Sequence, residues 1–344
     1  MNHNGIRKVG IVGEGKMGSA LLNYLTGFDL ELSWACSREA DIERIRKQYG
    51  KRINRLLEAG IIDINKHLAL RQTTISHELY DLNGCDLIME AIPENEEQKR
   101  LLFATLDPLV NQDCIFASNS SSIKPSLISP SSHRQEKFTG LHFFYPIGFK
   151  NIVELTVLPE TSSRTILKTE AFLNAIQRFF LTLDEKNSFI LNKIFLDFQM
   201  TAFEIVKKGY CNFRQMDELV KKDLFAFGVF DFMDGVGLDT MLVSIQNYIS
   251  GYPHKSWYEP LVLQLQEMVG QGKLGMKTGE GFFHYPLDPI QEAEWQDTGA
   301  ISEHLRQTWF SAVKRFTAQS HLPIGDINFA VKEYFGLLKG PFET

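Results

Sequence analysis

The stretch "KVGIVGEGKMGSALLNYL" (8–25) restricts the possible folds of this chain more than any other part of it. An apolar, β-rich run ends in glycines spaced G-x-G-x-x-G, at Gly13, Gly15 and Gly18, and Met17, Leu21, Leu22 and Leu25 then recur at helical spacing. Strand, tight turn and helix in that order open a parallel α/β sheet. The alternation continues with strands at 30–36, 85–92 and 114–119 and helices at 40–58 and 94–106, then further strands in "FTGLHFF" and "NIVELTVL" and a helix over 163–180. From about Phe189 the pattern changes to long apolar stretches at helical spacing. The expected fold class is α/β: a Rossmann-type doubly wound sheet domain over 1–188, then an all-α domain over 189–344 with a partial internal duplication.

The duplication rests on two segments. "FRQMDELVKKDLFAFGVFDF" (213–232) and "PIGDINFAVKEYFGLLKGPFE" (323–343) align at an offset of 111 to 112 residues, placing Asp217 on Asn328, Val220 on Val331 and Phe230 on Phe342. A second copy over 290–344 would bury its apolar face against the first.

Composition narrows the function classes. Lysine and arginine number 36 against 42 acidic residues, a net charge of −6 that argues against nucleic-acid binding. No apolar run approaches the ~18 residues of a membrane span. The N-terminus enters a strand almost at once and leaves no room for a signal peptide, so a cytoplasmic protein is expected. Four cysteines lie far apart without a CxxC pair, which suggests neither a metal site nor a disulfide framework.

In its strand–turn–helix context the glycine pattern has a mechanism. Gly13 permits the tight turn, Gly15 lets the backbone approach a pyrophosphate, and Gly18 lets helix and strand pack closely. Free N–H groups at the helix start then bind the anion, and Lys16 and Met17 join the glycines as cofactor-binding residues. Sites for NAD usually carry an acid ~20 residues on, at the tip of the second strand. Here Cys36, Ser37 and Arg38 stand there, and Glu39 is the first carboxylate to follow. A hydroxyl beside a guanidinium suits a 2′-phosphate, so NADP(H) is expected, with NAD(H) open through Glu39 if the loop is shifted.

Further motifs follow in register: "MEAIPENEEQK" (89–99), "IFASNSSSI" (115–123), "GLHFFYP" (140–146), "NIVEL" (151–155), "SFILNKIF" (188–195) and "GKLGMKTGEGFFHY" (272–285). In this order and spacing, over about residues 6–285, the chain resembles the 3-hydroxyacyl-CoA dehydrogenase family. The resemblance implies His142 as catalytic histidine, Glu154 as its carboxylate partner, Ser121 as the hydroxyl on the substrate oxygen and Asn192 as the amide beside it. It sets Asn119, Glu94 and Lys99 along the nicotinamide side of the cofactor, while Glu94 and Lys99 also read as surface residues of a helix. Two positions depart from the family pattern: Tyr145 replaces an amide next to His142, and Val229 replaces a proline.

The chemistry agrees with these residue types. As hydride leaves a carbinol carbon, the hydroxyl proton must leave too, and an imidazole held by a carboxylate is suited to take it. The expected function is therefore interconversion of 3-hydroxyacyl and 3-oxoacyl thioesters, with an acyl-CoA or acyl-carrier thioester as substrate. A carrier-bound or free hydroxy acid, and a non-catalytic dinucleotide-binding role, are the alternatives. The basic segment "RIRKQYGKRINR" (44–55) reads either as a solvated face or as a site for phosphates of coenzyme A or pantetheine. In the second copy Glu303 takes the position of Asn192, so that copy reads as structural. The resemblance implies dimerisation through the helical domain, and a duplicated helical unit could fill that interface from within one chain, so a monomer, or a homodimer built on another surface, is expected.

Overall fold

The computed structural model describes residues 5–287 and 298–343, and by internal contacts the chain divides into two compact units, Met1–Ser188 and Phe189–Thr344. In the first unit β1 (Lys8–Val12), α1 (Lys16–Leu25) and β2 (Glu31–Ala35) form the opening βαβ. After β2 come α2 (Ile42–Glu58), α3 (Ile64–Leu70), β3 (Thr74–Ser76), β4 (Leu87–Glu90), α4 (Glu96–Leu106) and β5 (Ile115–Ser118). The short α5 (Pro125–Ile128), β6 (Phe138–Phe143), β7 (Ile152–Val157), α6 (Ser163–Ala175) and β8 (Phe179–Asp184) complete the unit.

Among the described residues the sheet has eight strands in the order β3-β2-β1-β4-β5-β6-β7-β8. The first six run parallel, β7 is antiparallel to β6, and β8 is parallel to β7. Strand order reverses at β1, so the carboxyl ends of β1 and β4 flank the crevice where such sheets take ligands. Both sheet faces are covered. Val9, Ile11, Leu87 and Met89 pack with Leu21, Leu22 and Leu25 of α1, while Ile88 and Phe116 pack with Phe103 and Leu106 of α4.

Two differences from the expectation have local causes. The helix foreseen over 163–180 stops at Ala175, because Gln177 adopts a left-handed φ of 56° and turns the chain into β8. "RFFLTLD" carries apolar residues that fit either period, so the strand was not legible. At three residues, β3 is too short to show a period.

The second unit is helical: α7 (Ile190–Lys207), α8 (Phe213–Asp223), α9 (Val229–Val236), α10 (Leu238–Ile249), α11 (Glu259–Gly270), α12 (Thr298–Ser320) and α13 (Ile324–Phe335). Buried almost all round, α7 is the axis of the unit, and α12 and α13 pack against it. Asp197 of α7 accepts from the Tyr258 hydroxyl at 2.5 Å and pairs with Arg315 of α12.

The two aligned segments share one structural device. The Asp217 carboxylate, at the core-facing side of α8, accepts the Val229, Phe230 and Asp231 amides at 2.7, 3.0 and 2.8 Å. In the second copy the Asn328 side chain accepts the Phe342 amide at 2.9 Å. A Cβ on Gly228 would lie 2.5 Å from Asp217, and one on Gly340 would lie 2.6 Å from Asn328, so each copy needs its glycine to admit the side chain. Residues 290–297 of the expected second copy lie outside the described residues. Among the described residues no helix is long and apolar enough to cross a membrane.

Candidate active site

The glycine turn has the geometry its sequence demands. Gly13 sits at φ 110°, where a Cβ would lie 2.6 Å from the Ala91 carbonyl oxygen at the end of β4. A Cβ on Gly18 would lie 1.9 Å from the Gly13 carbonyl oxygen, so the turn and α1 can approach only through a glycine. Gly15 differs: a Cβ there would meet nothing within 4 Å. It is the N-cap of α1 and carries no side-chain cap, so the first-turn amides, those of Lys16 and Met17 included, are left for an anion. Open space over the cap glycine and uncapped donors at a helix start fit the pyrophosphate of a dinucleotide.

At the tip of β2 a carboxylate is present, and it comes from the glycine turn itself. The Ser37 hydroxyl donates to Glu14 Oε1 at 2.6 Å, and the Ser37 amide donates to Oε2 at 3.0 Å. Partial burial alone would raise the Glu14 carboxyl, but these two bonds and the nearby His77 hold it below the ordinary value of 4.5. His77 also bonds the Ser37 carbonyl at 2.6 Å and fixes the tip. Arg38 and Glu39 are exposed. A cleft of about 590 Å³ opens beside the pair, lined by Glu14, Trp34, Ser37, Glu39, Arg44 and Arg52 among others. Within "RIRKQYGKRINR", Ile45, Tyr49 and Ile53 are buried, and Arg46 is tied to the Ile75 carbonyl at 2.7 Å.

His142 and Glu154 are direct cross-strand partners on β6 and β7. His142 Nδ1 lies 2.9 Å from Glu154 Oε2, with the residues 6% and 0% exposed. Phe144 packs on the imidazole with ring centroids 4.2 Å apart. Two residues before His142 on the same strand face, Gly140 lets α5 close on the sheet: a Cβ there would lie 2.9 Å from Pro125 and 3.0 Å from Thr156.

The serine loop leading into α5 is shaped from behind. Glu94 Oε1 accepts the Ser120 and Ser122 hydroxyls at 2.5 and 2.8 Å and the Ser121 and Ser122 amides at 3.1 and 2.9 Å. Burial would raise this carboxyl, but Lys99 and the serine donors lower it. Lys99 is not a surface residue; at 1% exposure it bonds Glu90 at 2.5 Å and lies 3.4 Å from Glu94. Glu90, fully buried at the end of β4, also accepts from the Ser118 hydroxyl at 2.6 Å and the Ile92 amide at 2.8 Å. Asn119 bridges the same ends: its amide donates to the Glu90 carbonyl at 2.9 Å, and its Oδ1 accepts the Phe143 amide at 3.0 Å. Glu94, Lys99 and Asn119 thus join β4, β5 and β6 behind the Ser121 loop and beside His142.

Asn192 belongs to the second unit, in the first turn of α7. Its Nδ2 donates to the Tyr248 hydroxyl at 2.9 Å, and its Oδ1 accepts from the Tyr334 hydroxyl at 2.9 Å. Sequence reasoning assigned no part to Glu14, Glu90, Tyr248 or Tyr334. Glu90 left a trace, an acid closing the apolar run "LIME"; Glu14 left another, an acid inside the glycine turn. The tyrosines left none.

The sequence model described as "3-hydroxyacyl-CoA dehydrogenase, NAD binding domain" matches residues 8–185, and that described as "3-hydroxyacyl-CoA dehydrogenase, C-terminal domain" matches residues 189–285. A 3-hydroxybutyryl-CoA dehydrogenase of Mycobacterium tuberculosis is 30% identical over 286 residues, covering 81% of this chain and 99% of the relative. The crystal structure of (S)-3-hydroxybutyryl-CoA dehydrogenase from Ralstonia eutropha is 28% identical and superposes with a TM-score of 0.72 over 81% of this chain and 99% of that one. The 3-hydroxybutyryl-CoA dehydrogenase structure from Escherichia coli, at 16% identity, shares the fold over 99% of this chain and 91% of its own, with a TM-score of 0.81. Two family models in tandem and a relative matched over nearly its whole length lead to one assignment: the chain belongs to the 3-hydroxyacyl-CoA dehydrogenase family, an oxidoreductase whose sheet domain takes a nicotinamide dinucleotide.

Proposed function

We propose that this chain interconverts 3-hydroxyacyl-CoA and 3-oxoacyl-CoA, using NAD(H), with His142 as general acid and base. The carrying observation is the buried pair of His142 Nδ1 and Glu154 Oε2 at 2.9 Å. Glu154 accepts from Nδ1, and Nε2 is the nitrogen that exchanges a proton with the substrate oxygen. In oxidation Nε2 takes the hydroxyl proton, and the Glu154 carboxylate stabilises the imidazolium that forms. In reduction the proton returns along the same path. A nicotinamide dinucleotide held by this unit would supply the hydride acceptor or donor for C3. The Ser121 hydroxyl and the Asn192 amide donate to the oxygen as it gains alkoxide character. Glu94, Lys99 and Asn119 hold the Ser121 loop and β6 in position along the nicotinamide side.

The glycine turn and the start of α1 hold the pyrophosphate. The support for NAD(H) over NADP(H) is Glu14. Arg38 by itself favours a 2′-phosphate, but the carboxylate anchored on Ser37 accepts from a ribose 2′-hydroxyl and repels a phosphate in its place. Support for a chain that is monomeric, or dimeric through another surface, comes from α12 and α13, which occupy the flank of α7 within one chain.

Nicotinamide absorbance followed with acetoacetyl-CoA and NADH tests the central claim. His142→Gln should lower kcat by about 100-fold or more with dinucleotide affinity unchanged, and Glu154→Gln should lower it by at least about 10-fold. Turnover untouched by His142→Gln would remove the imidazole from the reaction.

A further inference from the structure

We propose that Tyr334, supplied by the second helical copy, is a positioning residue that holds the Asn192 amide in place for the substrate. This rests on the proposed contact of Asn192 with the substrate oxygen. The segment matched by the family's C-terminal model ends at residue 285, so Tyr334 lies on chain outside that match.

An asparagine amide is nearly symmetric in shape and opposite in character at its two ends, with an acceptor oxygen and two N–H donors. Only the N–H end helps an alkoxide; the oxygen end repels it. Asn192 is half-buried in the first turn of α7, where the N-cap Phe189, at φ 59°, contributes no side-chain cap bond. Its amide is held in place by two phenols. The Tyr334 hydroxyl donates to Oδ1 at 2.9 Å, and Nδ2 donates to the Tyr248 hydroxyl at 2.9 Å. With the oxygen engaged by Tyr334 and one N–H by Tyr248, the amide retains a second N–H for the reacting oxygen. Each phenol hydroxyl can donate or accept, so the pair fixes where the amide sits, and removing the Tyr334 hydroxyl takes away one of its two anchors.

Tyr334 is built to hold its position. The residue is 6% exposed, and its ring packs against Phe335 and Phe195 with centroids 4.8 and 6.3 Å away. The end of α13 is fixed by Gly336 at φ 70°, where the Gly336 and Leu337 amides both return to the Lys332 carbonyl at 2.9 and 3.0 Å. Asn328, one copy of the shared device, ties the same helix to Phe342. The second copy, with Glu303 where the first has Asn192, therefore serves the first copy's amide instead of forming a second site.

The test is a double-mutant cycle on the full chain in the acetoacetyl-CoA and NADH assay, with Tyr334→Phe, Asn192→Ala and both together. Tyr334→Phe should lower kcat about three- to tenfold, leave KM for NADH within about twofold, and have little effect once Asn192 is alanine. A wild-type kcat for Tyr334→Phe, or the same loss in the Asn192→Ala background, would overturn the proposal, because a merely structural hydroxyl acts independently of Asn192. Wild-type kcat for Asn192→Ala alongside an inactive His142→Gln would overturn it too, and would leave the dehydrogenase reading standing.

Discussion

Exchanging Glu14 for glutamine removes one negative charge while keeping the side-chain volume and a carbonyl oxygen able to accept from the Ser37 amide. The magnitude follows from the geometry at the tip of β2. A 2′-phosphate bound there would place its nearest charge roughly 4 Å from the carboxylate, where two unit charges repel by about 1 kcal/mol in bulk water and about 4 kcal/mol near a protein surface. Glu14 is only partly buried, so solvent reduces the effect to about 1–2 kcal/mol, or roughly 5- to 30-fold in relative affinity. Loss of a charge-assisted bond to the ribose 2′-hydroxyl adds about 1.5 kcal/mol against NADH in the variant. Wild-type enzyme should therefore prefer NADH in kcat/KM, and Glu14→Gln should shift the NADH to NADPH ratio toward NADPH by at least about tenfold. Steady-state kinetics with both dinucleotides, together with fluorescence titration of each in the absence of thioester, measures the shift. A wild-type preference for NADPH that Glu14→Gln leaves unchanged would refute the argument and return the choice to Arg38.

Gly18→Ala would press a Cβ onto the Gly13 carbonyl oxygen, 1.9 Å away, so the turn must open. The expected outcome is a loss of about 1–3 kcal/mol in stability by urea denaturation and at least a tenfold (~1.4 kcal/mol) loss of NADH affinity by titration. For Glu94, whose folded carboxyl lies below the ordinary 4.5, stabilisation is fully present above about that pH and is lost as pH falls through the folded value. Glu94→Gln should cost about 2–3 kcal/mol at neutral pH, with the gap to wild type closing as pH falls through the lowered folded value. A gap in urea midpoints that stays constant into acid would show that charge is not what holds the serine loop.

Sequence alone determined the elements whose signal is local. The G-x-G-x-x-G turn, the apolar strand runs, the change of period after Phe189 and the register of six motifs are all readable from neighbouring residues, because strand, turn and helix chemistry acts over a few positions. The pairing of His142 with Glu154 was also within reach, since two strands joined by a short turn lie antiparallel. What required the fold was every contact between residues far apart in the chain. Glu14 meets Ser37 because β1 and β2 are neighbours in the sheet, and the buried Lys99 meets Glu90 because α4 folds back over β4. The Asn192 amide lies between Tyr248 and Tyr334 because α10 and α13 each bring a phenol to the start of α7. A side-chain hydrogen bond carries no mark in the one-dimensional string when its partners are brought together by packing, and so the carboxylate at the tip of β2 and the anchoring of the Asn192 amide were decided only in three dimensions.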